Sequence, residues 1–179
     1  MADQKVTEMT ELTAPTIDDA LYVVDDADGT PLSRRITLAS LFKMQGSDGL
    51  ADDTYYGFTI SNIAAGENIA QWALVYLDDT ENEWMNADAN AAGKWPARGI
   101  AVEAGTNGNA IIVLVFGVVR NDGWTWSGNG KTLYLDDDPA GGITETAPSG
   151  SGDCIQVVGF SLSDDEAFFN FTGNYAEHS

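Results

Sequence analysis

The chain of 179 residues has one cysteine, one histidine and only eight lysines and arginines against 28 aspartates and glutamates. Each scarcity removes a class of function. With Cys154 alone no intrachain disulfide can form, so the fold must rest on packing or association. The sole histidine, His178, sits beside the C-terminus, where chains commonly fray, and leaves no imidazole for a Ser-His-Asp or Cys-His relay. No C-x-x-C, H-E-x-x-H or P-loop spacing occurs. A net charge of −20 disfavours nucleic acid, whose phosphates require clustered basic groups, and equally an anionic membrane surface. The longest apolar run, residues 110–119, is about half of what a membrane-spanning helix needs. The start Met-Ala-Asp-Gln-Lys has no apolar signal region, so the expectation is a soluble protein made in the cytoplasm.

What is present is strand and turn. Three stretches carry an apolar residue, a tyrosine, further apolar residues and then two aspartates: Leu21-Tyr22-Val23-Val24-Asp25-Asp26, Val75-Tyr76-Leu77-Asp78-Asp79 and Leu133-Tyr134-Leu135-Asp136-Asp137. Aromatic and aliphatic residues suit a pleated surface, and aspartate followed by glycine suits a turn. Residues 20–26 and 32–38 read as a hairpin around Ala27-Asp28-Gly29-Thr30-Pro31, followed by a short helix over 38–44. Beyond a Gly/Asp/Ser linker, strands are predicted at 55–60, 68–77, 82–87, 97–104, 110–119, 123–127, 131–136, 142–146, 154–162 and 166–172. The expected organisation is an N-terminal arm and hairpin over 1–46, a linker over 47–54, and an antiparallel β-barrel or sandwich over 55–179. The arm carries Val6, Met9 and Leu12 as spaced apolar residues, too few to fold alone and suited to lying along a partner. Eight acidic and four basic residues give positions 1–46 a net charge of about −4, against about −16 for the rest, so the arm is the less repulsive end.

The segments headed by Tyr76 and Tyr134 also match further on. Gly99-Ile100-Ala101-Val102 and Ala110-Ile111-Ile112-Val113 in the first answer Gly159-Phe160-Ser161-Leu162 and Ala167-Phe168-Phe169-Asn170 in the second. An offset of about sixty residues is that of a supersecondary unit, and an internal duplication is expected; convergent hairpin composition is the alternative. Residues 110–119 lack alternation, so a strand here is apolar on both faces. A second subunit covering Ile111, Val113 and Val115 is the favoured reading, and a two-sheet sandwich within one chain is the alternative.

Paired carboxylates alone do not make a hydrolase, because 28 acidic residues guarantee chance pairs; no enzymatic activity and no cofactor are expected. Asp26-Ala27-Asp28-Gly29 and Asp136-Asp137-Asp138 resemble calcium-loop fragments but lack the later bidentate acid, so turn formation is expected. Trp124 and Trp126, one residue apart, are expected on one face of a strand beside Asn121, Asp122 and Asn129. Such an aromatic platform suits either packing or a host glycan.

Residues 5–43 resemble a segment of tailed-bacteriophage virion proteins. The resemblance lies in Lys5-Val6-Thr7-Glu8-Met9-Thr10-Glu11-Leu12, in Asp18-Asp19-Ala20-Leu21-Tyr22-Val23-Val24-Asp25, and in Arg34-Arg35-Ile36-Thr37-Leu38-Ala39-Ser40-Leu41-Phe42. In that family a K-I-T-E-L start, a D-x-L-Y-V-V-D strand and a K-K-V-T-L-A-D-L strand-helix form a small adaptor. The remainder is more loosely similar to capsid-decoration and fibre-tip β-domains through Trp72-Ala73-Leu74-Val75-Tyr76-Leu77-Asp78, Pro96-Ala97-Arg98-Gly99-Ile100-Ala101 and Val113-Leu114-Val115-Phe116-Gly117. The resemblance implies a homotrimeric structural protein on the virion surface, a capsid decoration (cement) or head-fibre protein. Val6, Met9, Leu12, Arg34 and Arg35 would dock it on a phage capsid or tail protein. A tail-fibre or tail-adaptor protein that binds a host glycan through Trp124 and Trp126 is the other reading.

Overall fold

Short apolar and aromatic runs punctuated by Gly, Asn and Asp favour pleated segments joined by tight turns, and the chain forms little else. The computed structural model describes residues 20–25, 32–37 and 50–179, and among these every regular element is a strand. The chain divides into two units, Met1–Met44 and Gln45–Ser179.

In the first unit β1 (Ala20–Asp25) and β2 (Leu32–Thr37) form the expected antiparallel hairpin, paired from Ala20↔Thr37 to Asp25↔Leu32. Arg34 and Arg35 lie in β2 opposite Val23 and Tyr22. The helix expected over 38–44 and the arm residues Val6, Met9 and Leu12 lie outside the described residues.

The second unit is a strongly curled antiparallel sheet. Its strands are β3 (Thr54–Ala64), β4 (Leu74–Leu77), β5 (Trp84–Asn86), β6 (Gly99–Ala101), β7 (Ala110–Arg120), β8 (Thr132–Leu135), β9 (Ile143–Thr144), β11 (Val157–Ser161) and β12 (Glu166–Asn170). A separate pair joins β10 (Cys154–Ile155) to β13 (Ala176–Glu177). Neighbours in the sheet run β5-β4-β6-β7-β12-β11-β8-β9, with β3 also paired to β7. That order reads alike from both edges: β4, β5, β6 and β7 are connected as β8, β9, β11 and β12 are. Tyr76 and Tyr134 stand in the matching strands β4 and β8, and Gly99 and Gly159 in β6 and β11. β7 is the hub. β3 follows one of its edges from Thr54↔Arg120 to Ala64↔Ala110, while β6 and β12 share the other at Val113 to Leu114 and at Phe116 to Arg120.

Strand alternation distributes the apolar residues into two cores. Leu74, Tyr76, Ile100, Leu114, Val119, Leu133, Leu135, Val158, Ala167 and Phe169 fill one side of the sheet. Val75, Ala101, Ile111 and Val113 point the opposite way and meet Ala65, Ile69, Ala73 and Trp84. The expected cover by another subunit is corrected here. Ile111 and Val113 are 2 % and 0 % exposed in the single chain, and Val115 packs at the margin of the same cluster. The chain itself, through residues 63–73 and Trp84, buries the second face of the apolar strand.

Four further expectations change. Residues 123–127 are irregular, not a strand. The segment 68–77 is strand only from Leu74, because Trp72 takes a left-handed φ of 67°. The C-terminus is pinned, not frayed: β13 pairs with β10, the His178 N–H donates to the Asp153 carbonyl at 2.8 Å, and the Gly152 N–H donates to the His178 carbonyl at 2.8 Å. Residues 50–53, read above as linker, are tied to the sheet by the buried Leu50 and by Asp53, whose carboxylate accepts the Trp72 indole N–H at 3.1 Å.

Candidate functional site

Trp124 and Trp126 lie in the connection that leaves β7 and enters β8. Its sequence, Asn-Asp-Gly-Trp-Thr-Trp-Ser-Gly-Asn-Gly, is turn-forming except for the tryptophans, and the side chain of Asn121 folds back to accept the Gly123 N–H at 2.8 Å. The Trp124 N–H donates to the Asn121 carbonyl and the Trp126 N–H to that of Asp164, both at 2.9 Å. Arg120, the last residue of β7, anchors the root. Its guanidinium reaches Asp122 at 2.8 Å, Asp165 at 3.1 Å and the Leu50 carbonyl at 3.1 Å. The hydrogen bond to Asp122 raises the Arg120 pKa further, and the Ser163 hydroxyl, followed by the Arg120 charge, holds the Asp165 carboxyl below its ordinary range.

The two rings therefore meet without a strand to align them. Their centroids are 5.2 Å apart at 46°. Trp124 also meets Trp72 at 6.3 Å and Phe169 at 6.0 Å, both edge-on, a geometry that aromatic quadrupoles favour. Opposite them, residues 139–145 turn past β9 and bring Glu145 to the loop, where its carboxylate accepts the Ser127 N–H at 3.0 Å and the Ser127 hydroxyl at 2.9 Å. The space between is an open groove of about 590 Å³, lined among others by Gln71, Trp72, Asn121, Trp124, Trp126 and Glu145. Amides and a carboxylate carry more hydrogen-bonding capacity than these contacts use. Chemically the groove offers aromatic surface with convergent polar groups, the composition of a binding cleft.

Asp26-Ala27-Asp28-Gly29 lies outside the described residues, and the acidic and amide turn residues of the sheet unit serve structure. The Asp78 carboxylate accepts the N–H groups of Thr80 and Glu81, each at 2.9 Å, closing the β4–β5 turn. Asp136 accepts the Asp137 N–H at 2.9 Å, and burial pushes its carboxyl above the ordinary range. Among the described residues no cluster of three or more His, Cys, Asp or Glu could hold a metal ion. Cys154 is buried, and burial pushes its thiol up to about 11, so it is a poor nucleophile at neutral pH. Asn107 and Asn109 serve turns, donating to the Gly66 carbonyl at 2.7 Å and the Thr106 hydroxyl at 2.6 Å. Trp124 and Trp126 belong to the groove, whereas Ile111, Val113 and Val115 belong to the second core.

Sequence reasoning missed Trp72 and Glu145 as groove residues. Trp72 sat inside an expected strand, and nothing in the spacing of Glu145 sets it apart from other acids. It also missed Gln156, which is fully buried: its side chain accepts the Ala97 N–H at 2.7 Å and donates to the Ala97 carbonyl at 2.9 Å, as a paired strand residue would. No family model, curated protein or solved structure matches this chain.

Proposed function

We propose that this is a non-enzymatic structural protein of a phage virion, a capsid decoration or head-fibre protein that docks through its N-terminal unit and displays its acidic β-sheet unit to solvent. The observation that carries the reading is the ordered run of motifs over residues 5–43, whose two six-residue strands pair regularly in a unit of their own. Val6, Met9 and Leu12 would supply apolar anchors, and Arg34 and Arg35 would pair with acidic groups of the particle. A net charge of −20 suits a module displayed at high density, because like copies repel and stay soluble. A protein that binds only the assembled shell stabilises it by mass action. The matching connectivity of the two halves of the sheet supports an internal duplication of one four-stranded unit. Deleting residues 1–46 should abolish incorporation into particles while the β-sheet unit stays folded. Full incorporation of the truncated protein would refute the docking assignment.

The groove favours a second reading, a tail-fibre or tail-adaptor protein that binds a host glycan. Sugars present apolar faces edged by hydroxyls, and Trp124 and Trp126 beside Gln71, Asn121 and Glu145 match both. Copy number separates the readings: a decoration protein occurs in tens to hundreds of copies per particle, a fibre in few. Glycan-array binding abolished by Glu145→Gln and Trp126→Ala, with the fold retained, would establish the second.

A further inference from the structure

The groove between the Trp124–Trp126 loop and residues 139–145 is lined by a single ionisable side chain, Glu145, and by no lysine, arginine or histidine. Glu145 is half-buried. Its two oxygens accept the Ser127 N–H at 3.0 and 3.1 Å, and one of them also accepts the Ser127 hydroxyl at 2.9 Å. These bonds fix the carboxylate next to the backbone that carries the Trp126 ring, yet they leave its charge in place. Among the described residues the ion pairs are those of Arg120 with Asp122 and Asp165, and no cation meets Glu145. The other charged groups nearby do not compensate it: Asp53 is bonded to the Trp72 indole, Asp136 lies beside Gly142, and Arg120 is already engaged by two acids. In a chain of net charge −20, such a groove repels an anionic ligand and draws a cationic one.

The uncharged lining narrows the cation further. The Gln71 amide donates to the Val102 carbonyl at 3.2 Å and keeps its oxygen as an acceptor, while Asn121 accepts the Gly123 N–H at 2.8 Å and keeps its amide N–H groups as donors. A quaternary ammonium would meet the indole faces but answer neither amide. An acidic sugar would answer the amides and be repelled by Glu145. A pyranose with a free amine answers all three: its C–H face lies on an indole, and its equatorial amine and hydroxyls project from the ring edge towards the walls of the groove. Trp124 packs against Trp72, Trp126 and Phe169, whereas Trp126 adjoins Ser127 and so forms the platform beside Glu145. We propose that the groove binds an amino sugar whose amine is unacetylated and protonated, the ammonium paired with Glu145 and the sugar face stacked on Trp126. This rests on the reading of the groove as a glycan site and names the class of sugar.

The test titrates the purified full chain by calorimetry with three trisaccharides of one linkage, built from glucosamine, from N-acetylglucosamine and from glucose. The titration is run at about pH 6, below the pKa of an amine that sits beside electron-withdrawing groups. The glucosamine trisaccharide should bind at least about tenfold more tightly than either of the others, the margin of one charge-assisted hydrogen bond. Glu145→Gln, which keeps an acceptor for Ser127, should remove that margin. Asp79→Asn, a change to an exposed acid outside the groove, should leave it intact. Equal binding of the three trisaccharides would overturn the ammonium assignment and leave the glycan reading standing, whereas no binding of any would overturn both. A margin that survives Glu145→Gln, or that falls equally with Asp79→Asn, would place the attraction in the general negative surface and overturn the proposal.

Discussion

Gly57 and Gly117 face each other across the β3–β7 ladder, each filling the space that a side chain on the other would need. Their φ angles are 153° and 152°, a region that L-residues rarely adopt. A Cβ on Gly57 would lie 2.7 Å from the Gly117 Cα and also strike the Phe116 carbonyl, and one on Gly117 would lie 2.8 Å from the Gly57 Cα and strike that of Tyr56. The close approach lets β3 lie along the full length of the hub strand.

Gly117→Ala should therefore destabilise the β-sheet unit by about 3 kcal/mol or more, combining backbone strain with overpacking. Urea denaturation measures it. Because both glycines guard one contact, Gly57→Ala/Gly117→Ala should cost less than the two single changes added together. A loss below about 1 kcal/mol for Gly117→Ala would show that β3 and β7 separate easily there.

Gln156→Ala leaves the Ala97 N–H and carbonyl without their side-chain partner in a buried setting. A loss of about 3 kcal/mol is expected, since each orphaned buried group costs roughly 1–3 kcal/mol. Gln156→Met, similar in volume but without the amide, should lose nearly as much. Recovery of wild-type stability by Met would assign the role of Gln156 to packing alone.

Asp136 provides a pH test with a defined sign. Burial raises its folded pKa above the unfolded value of about 3.9, so its favourable contribution is complete below that value and is lost as pH rises through the folded pKa. Asp136→Asn keeps an acceptor for the Asp137 N–H and removes the half-buried charge. Its melting temperature should exceed that of the wild type at pH 7, and the difference should close towards pH 3. A difference that widens in acid would contradict the assigned cause.

The Cys154 thiol, fully buried and pushed up to about 11, should react with a thiol reagent at pH 8 at least tenfold more slowly in the native protein than in denaturant. Reactivity followed against urea should track global unfolding. Labelling of the native chain at the rate of free cysteine would show that the β10–β13 pair opens locally.

The strands were largely legible because their signal is local. Residues 110–119 and 131–136 announce themselves by aliphatic and aromatic side chains between Gly and Asn, and the acidic turn after Tyr76 follows from what an aspartate does to nearby N–H groups. The same residue preferences misread 123–127, where two tryptophans suit a strand but the flanking Asp-Gly and Ser-Gly-Asn-Gly dictate turns. Cover for Ile111 and Val113 was illegible because it depends on residues 63–73 wrapping back over the sheet, a long-range event with no local mark. Gln156 was invisible for a similar reason. A glutamine reads as surface until its amide finds the Ala97 backbone, 59 residues away in sequence. Of the groove, the two neighbouring tryptophans could be seen beforehand, but Trp72 and Glu145 arrive from opposite ends of the unit.

The position of β7 bears on how the protein comes apart. With β3 along one edge and β6 and β12 dividing the other, the end strand of one matched half also carries the end strand of the other. Neither half can peel away without exposing hydrogen bonds and apolar surface that the other depends on, so the two halves should melt as one cooperative unit. In native-state hydrogen exchange the amides of residues 111–119 should be the last to exchange, released only by opening of the whole sheet.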